Sequence, residues 1–153
     1  MNILFITYEY PPVGSGAANA VYYLLKEFSK FKKINFFVIT SSPNTYHTKK
    51  LANNVFLYHL DIGKNNSKTE SPLTMMRFSD KALRLSKELI QQKKIDFVHA
   101  FMGIPAGYVA YKLPLPYLLD LCGSDVHGHN KKYKILEFLL LKRLSKRIWG
   151  KAR

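Results

Sequence analysis

The sequence predicts an α/β protein built on a parallel sheet with helices on both faces, and three observations lead there. Short apolar, β-prone runs alternate with stretches that repeat apolar residues at helical spacing, the order expected when crossover helices join parallel strands. The first such run, Asn2 to Tyr8, feeds a helix through a glycine-containing loop, Glu9 to Gly16. The chain also has 153 residues and 47% hydrophobic content, enough for one globular domain with a sizeable core.

Ala17 to Phe31 is expected as the first helix, with Ala17, Ala20, Val21, Leu24, Leu25 and Phe28 as its buried stripe. Ile34 to Thr40 is the second strand, the polar stretch Ser41 to Asn54 follows with no element assigned to it, and Val55 to Leu60 is a short third strand. A loop rich in Asn, Lys, Ser and Thr, Asp61 to Ser71, leads to a long helix from Leu73 to Lys93. In that helix Met75, Phe78, Ala82, Leu85 and Leu89 share one stripe, while Arg77, Lys81, Arg84 and Lys87 lie away from it. Ile95 to Ala100 reads as a strand, Met102-Gly103 as a turn, Pro105 to Lys112 as a short helix, and Tyr117 to Leu121 as a fifth strand.

A glycine loop between a strand and a helix suggests an anion site, because glycine lets backbone approach a ligand and the first helical N–H groups are free donors at the positive end of a dipole. A dinucleotide turn does not fit. The stretch Gly14-Ser15-Gly16-Ala17-Ala18-Asn19 lacks the third glycine, and the strand ends about six residues too early for a tight turn. The second strand runs out into Ser41, Ser42 and Pro43, where no carboxylate stands to accept from a ribose hydroxyl. A loop that merely connects two elements is the competing reading.

The single cysteine, Cys122, excludes an internal disulfide framework and fits a reducing compartment. No basic residue precedes the apolar N-terminal run, which meets Glu9 early, so it does not read as a secretory signal. No uncharged apolar stretch approaches the roughly 18 residues that cross a bilayer. The expectation is a soluble, cytoplasmic protein that can sit peripherally at the inner membrane face. Its net charge is +14, and residues 131–153 alone hold nine Lys or Arg against one acid, Glu137. The same segment carries apolar residues at helical spacing. It reads either as a basic amphipathic helix at an anionic membrane surface or as a helix packed on its own sheet with a solvated basic face. Nucleic acid is not expected as a partner, since no recognition motif accompanies the charge.

Ligands of parallel sheets sit beyond the carboxyl ends of the strands. That rule selects Tyr8 to Gly16, His99 to Gly103, and Cys122-Gly123-Ser124-Asp125, all expected on one rim. The opening NILFITYEYPPVGSGAANAVYYLLKEF, the block IDFVHAFMGIPAGYVAYKL and the block LPYLLDLCGSDVHGHN together resemble the N-terminal Rossmann-like domain of the retaining group 1 (family 4) glycosyltransferases of GT-B architecture. The resemblance runs from Asn2 to about Ala152, with residues 41–94 matching in pattern only. It implies that residues 1–153 form a single acceptor-side domain, the N-terminal half of a GT-B two-domain enzyme, with the donor-binding domain not represented.

The resemblance further implies that Gly14, Ser15 and Gly16 offer backbone N–H groups to the donor diphosphate, and that Glu9, Tyr10, His99, Met102, Gly103, Gly123 and Ser124 line the acceptor side. The donor is a nucleotide sugar bound as substrate, the acceptor a glycan or lipid-linked glycan, and no cofactor or metal is implied. Cys122 falls where the family commonly has a histidine facing the transferred sugar, and a neutral thiol is a weak donor beside an imidazole. Either the contact is dispensed with, or His99 or His127 supplies it. Asp125 is the second catalytic candidate; with Ser124 it binds acceptor hydroxyls or caps a following helix. His127-Gly128-His129 lacks a third ligand of convincing spacing and reads as a loop. Two alternatives to an acceptor domain remain at this level: a non-catalytic α/β binding module, and the acceptor subunit of a split glycosyltransferase.

Overall fold

The first strand, β1 (Asn2–Thr7), is apolar on both of its faces, as a central strand of a doubly covered sheet must be. Leu4 and Ile6 point into one core, with Phe37, Ile39, Phe78 and Val98, while Phe5 points into the other, with Val21, Leu25, Val38 and Leu57. The computed structural model describes residues 1–14, 16–43, 45–63, 71–122 and 142–153.

Around β1 are arranged α1 (Gly16–Phe28), β2 (Asn35–Ser42), β3 (His47–Ala52), β4 (Val55–Asp61), α2 (Pro72–Lys93), β5 (Phe97–Phe101), α3 (Tyr108–Tyr111), β6 (Tyr117–Asp120) and α4 (Lys142–Lys151). They form one six-stranded sheet in the order β3-β4-β2-β1-β5-β6. Five strands are parallel, and β3 pairs antiparallel with β4. The chain leaves β1 toward β2 on one side and returns to β5 on the other. The strand order therefore reverses between β1 and β5, the place where sheets of this kind open a crevice. Helix α1 packs on the Phe5 face, and α2 and α3 on the Leu4 face.

Helix α2 begins with a reciprocal cap. The Ser71 hydroxyl accepts from the Thr74 amide and the Thr74 hydroxyl accepts from the Ser71 amide, both at 3.2 Å. A second anchor joins α1 to the sheet: Asn54 Nδ2 donates to the carbonyls of Phe28, Phe31 and Ile34 at 3.2, 3.1 and 2.9 Å.

Several expectations are corrected in detail. The polar stretch after β2 contains a strand, β3, because its HTKKLA sequence lies on a sheet edge where both faces tolerate polar side chains. Strand β2 continues through Ser41 and Ser42, which pair with Leu60 and Asp61. Helix α1 ends at Phe28, closing into tight turns in which the Lys30 and Phe31 amides donate to Glu27 and Phe28. Its fully buried residues are Ala18, Val21 and Leu25, and Ala20 faces solvent. The helix expected from Pro105 is broken: an irregular turn, Gly103–Gly107, with extended backbone at Ile104, precedes the single turn of α3. Residues 131–141 of the basic segment lie outside the described residues. In its remainder, α4, Ile148 is fully buried and the backbone carbonyl of Ile148 accepts from the Tyr117 hydroxyl.

Candidate functional site

Three parallel strands end side by side. Thr7 of β1 is level with Phe101 of β5, and Phe101 with Asp120 of β6. The segments that follow, Tyr8–Gly14, Met102-Gly103 and Leu121-Cys122, therefore leave from one edge.

After β1 the chain is pinned closely. The Thr7 hydroxyl donates to the Glu9 carbonyl at 2.9 Å, the Ser41 hydroxyl to the Tyr8 carbonyl at 2.6 Å, and the Tyr8 hydroxyl to Thr74 Oγ1 of α2 at 3.0 Å. The Val13 amide closes a turn on the Tyr10 carbonyl at 2.8 Å. Glu9 and Tyr10 are both buried. The Tyr10 ring lies under α1 against Tyr22 and His59, and burial, then Tyr22, raises its phenol pKa.

Gly14 has φ +96°, and a Cβ built there would stand 2.2 Å from Glu9 Oε2, so only glycine suits the position. Gly16, the first residue of α1, is different: a Cβ would meet nothing within 4 Å. The first turn of α1 carries no acidic side chain of its own, and the Glu9 carboxylate stands against Gly14 just before it. Ser15 lies outside the described residues.

Just past β5, Met102 is buried and holds φ +83°, ψ +143°, a conformation costing a side-chain-bearing residue about 1–3 kcal/mol. It is kept there from both sides: its amide donates to the Asp120 carbonyl and its carbonyl accepts from the Gly107 amide, each at 3.0 Å. Gly103 is buried next to it. A Cβ on Gly107 would lie 2.8 Å from Leu119 Cδ1 and 3.2 Å from Ile148 Cγ2, so this glycine lets the turn, β6 and α4 pack together.

His99 lies two residues inside the rim, on the α1 face. Its ring meets Phe5 edge-on at 4.7 Å, and its Nε2 donates to Asp120 Oδ2 at 2.7 Å. The His99 side chain is 12% exposed and that of Asp120 41%. Sequence reasoning does not select Asp120; an acid closing an apolar strand two residues before Cys122 is the signal that could have found it. Cys122 is half-buried just past β6. Gly123, Ser124 and Asp125 lie outside the described residues, as do His127 and His129. The structure thus brings together Gly14, Gly16, Met102, Gly103 and Cys122 along one edge, turns Tyr10 into the core, and sets His99 behind the rim, hydrogen-bonded to Asp120.

Farther along the sheet, His59 stacks on His47 with ring centroids 4.1 Å apart. Burial, then the neighbouring His47 and Lys49, lowers the His59 pKa to about 4. Among the described residues no group of three His, Cys, Asp or Glu is arranged to hold a metal ion, and no helix is long and apolar enough to cross a membrane.

No protein-family model matches the chain, and no curated protein matches it. Solved structures do. A sucrose-phosphate synthase from Thermosynechococcus elongatus superposes with a TM-score of 0.62 at 13% identity, covering 78% of this chain and 32% of that one. A UDP-N-acetylglucosamine 2-epimerase superposes with a TM-score of 0.55 at 15% identity, covering 99% of this chain and 40% of that one. The chain thus spans about a third to two fifths of the length of these structures. At such identities the likeness is one of fold: a Rossmann-like α/β domain of the kind found in GT-B enzymes.

Proposed function

We propose that this chain is the N-terminal, acceptor-binding domain of a glycosyltransferase that moves a sugar from a nucleotide-sugar donor to a glycan or lipid-linked acceptor. The observation that carries the reading is the exposed start of α1 at Gly16, following β1 on the edge where the strand order reverses. Glycosyl transfer through an oxocarbenium-like state builds charge on the departing diphosphate, and in this reading the backbone N–H groups of Gly14, Ser15 and Gly16 receive it. The likeness to a sucrose-phosphate synthase and a UDP-N-acetylglucosamine 2-epimerase agrees with a nucleotide sugar as donor.

Met102 and Gly103 take the acceptor side together with Glu9 and His99, and residues 122–125 take the place next to the transferred sugar. Cys122 and Asp125 take the catalytic places, Cys122 standing where a histidine is usual in the family this chain resembles. The donor half of the site belongs to a second domain, so residues 1–153 bind without turning over. The protein works in the cytoplasm, and the cationic segment 131–153 adds attraction to an anionic membrane surface.

Incubating the full-length gene product with labelled nucleotide sugars and a lipid-linked acceptor pool tests the reading. Label should enter the lipid-extractable fraction, and Gly16→Val should lower that rate without unfolding the protein. Failure of every nucleotide sugar to deliver label would refute the assignment.

A further inference from the structure

The outward side of α2 changes character along its length. Its inward stripe is Phe78, Ala82 and Leu89. Outward, in order, come Leu73, Met76, Arg77, Asp80, Lys81, Arg84, Lys87 and Glu88. Leu73 is 56% exposed and Met76 69%, one turn apart on the same side of the helix. Their apolar surface is not spent on the core, where Phe78 and the half-buried Met75 already fill the space. The next turns bring cations: Arg77, then Arg84, which shares its charge with Asp80 at 2.9 Å, then Lys87.

Two apolar side chains form too small a patch for a stable protein partner, which needs roughly 800 Å² per side. A bilayer interface asks less. Shallow insertion of a few apolar side chains, with cations at the level of the phosphates each adding about 1 kcal/mol, is sufficient for reversible attachment. Nucleic acid would use the cations and leave Leu73 and Met76 without a role. Helix α4 makes the contrast. Its apolar Ile148 is consumed by the core, Leu144 and Trp149 are half-buried, and the side chains it exposes are Arg143, Lys146, Arg147 and Lys151, so what it chiefly supplies is attraction.

We propose that the first two turns of α2 seat Leu73 and Met76 in the interface of an anionic leaflet, with Arg77 on the lipid phosphates. Because Thr74, between the two apolar residues, is bonded to the Tyr8 hydroxyl, this tip lies beside the rim that carries the candidate site. An acceptor with an apolar tail is then presented head group first to Tyr8–Gly16. That last step rests on the proposed function; the membrane contact itself does not.

Co-sedimentation with vesicles tests the contact without any sugar donor, so its failure leaves the transfer reading untouched. The 153-residue chain should partition onto phosphatidylcholine vesicles containing roughly a third phosphatidylglycerol, and only weakly onto pure phosphatidylcholine. The double change Leu73→Ser and Met76→Ser should weaken that partition about tenfold, and Arg77→Glu should weaken it several-fold. Should the serine pair disturb the helix, Met76→Trp in a Trp149→Phe background gives a second readout, a blue shift of its emission on adding the anionic vesicles. The proposal is overturned if the chain shows no preference for phosphatidylglycerol, if the serine pair binds as the unmodified chain does, or if the tryptophan emission stays unshifted. Retention on a short DNA duplex together with indifference of vesicle binding to the serine pair would assign the surface to nucleic acid and equally overturn it.

Discussion

His99 and Asp120 join two parallel strands at their carboxyl ends, imidazole Nε2 to carboxylate Oδ2 at 2.7 Å, two residues before Cys122. The backbone already pairs β5 with β6 at this level, so the hydrogen bond locks the side chains of a rim whose strands are held independently. Replacing either partner by alanine should destabilise the domain, and a double-mutant cycle in urea should give a coupling of about 1 kcal/mol. Additive losses would show that the two side chains merely lie close.

Two glycines in one loop should behave in opposite ways. Gly14→Ala places a side chain in the left-handed region and against Glu9, and should cost about 2 kcal/mol in chemical denaturation. Gly16→Val points into open space and should cost under about 1 kcal/mol while slowing sugar transfer by the full-length protein. Equal stability losses at the two positions would contradict the difference in their surroundings.

Stability should depend on pH through His59. Its folded pKa is about 4 against an ordinary 6.5, so the unfolded chain takes up a proton first as the pH falls. The stabilisation is complete above pH 6.5, declines between 6.5 and about 4, and falls no further below that. Carboxylates also titrate near the lower limit, so the measurement is the difference between the unmodified chain and His59→Gln in thermal melts. That difference should narrow progressively over this window as the histidine's advantage is lost.

Asn54→Ala removes one amide group that serves three carbonyls at the end of α1 and the start of β2. Because those carbonyls are partly buried, a loss of about 1–3 kcal/mol is expected, with hydrogen exchange rising first at the C-terminal turn of α1. A change below about 0.5 kcal/mol would mean that water replaces the side chain readily.

The core and the rim are legible in the sequence for the same reason: alternation of β and α elements dictates which strand ends lie together, and Leu4, Ile6, Phe78, Ala82 and Leu89 carry the periodicity of their elements openly. What escapes lacks a local pattern. Strand β3 has Lys49 and Lys50 exposed in succession, and only its neighbour β4 makes it a strand. Ser41 and Ser42 resemble a strand end until Tyr8 and Asp61 are seen to pair with them. The phase of α1 slips because alanines at 17, 18 and 20 are interchangeable to a hydropathy pattern, and only the folded chain shows that Ala18 is the buried one. Asp120 goes unselected because a lone acid has no motif; its meaning depends on His99 across the ladder.

The lysines on β3 have a consequence unrelated to sugar chemistry. An open sheet invites a second copy to add its own strand, and β3 answers with ammonium groups, Lys50 reaching across toward the ring of Phe56 on β4. Like charges brought together across such a seam would repel, so this border discourages fibre growth at high concentration.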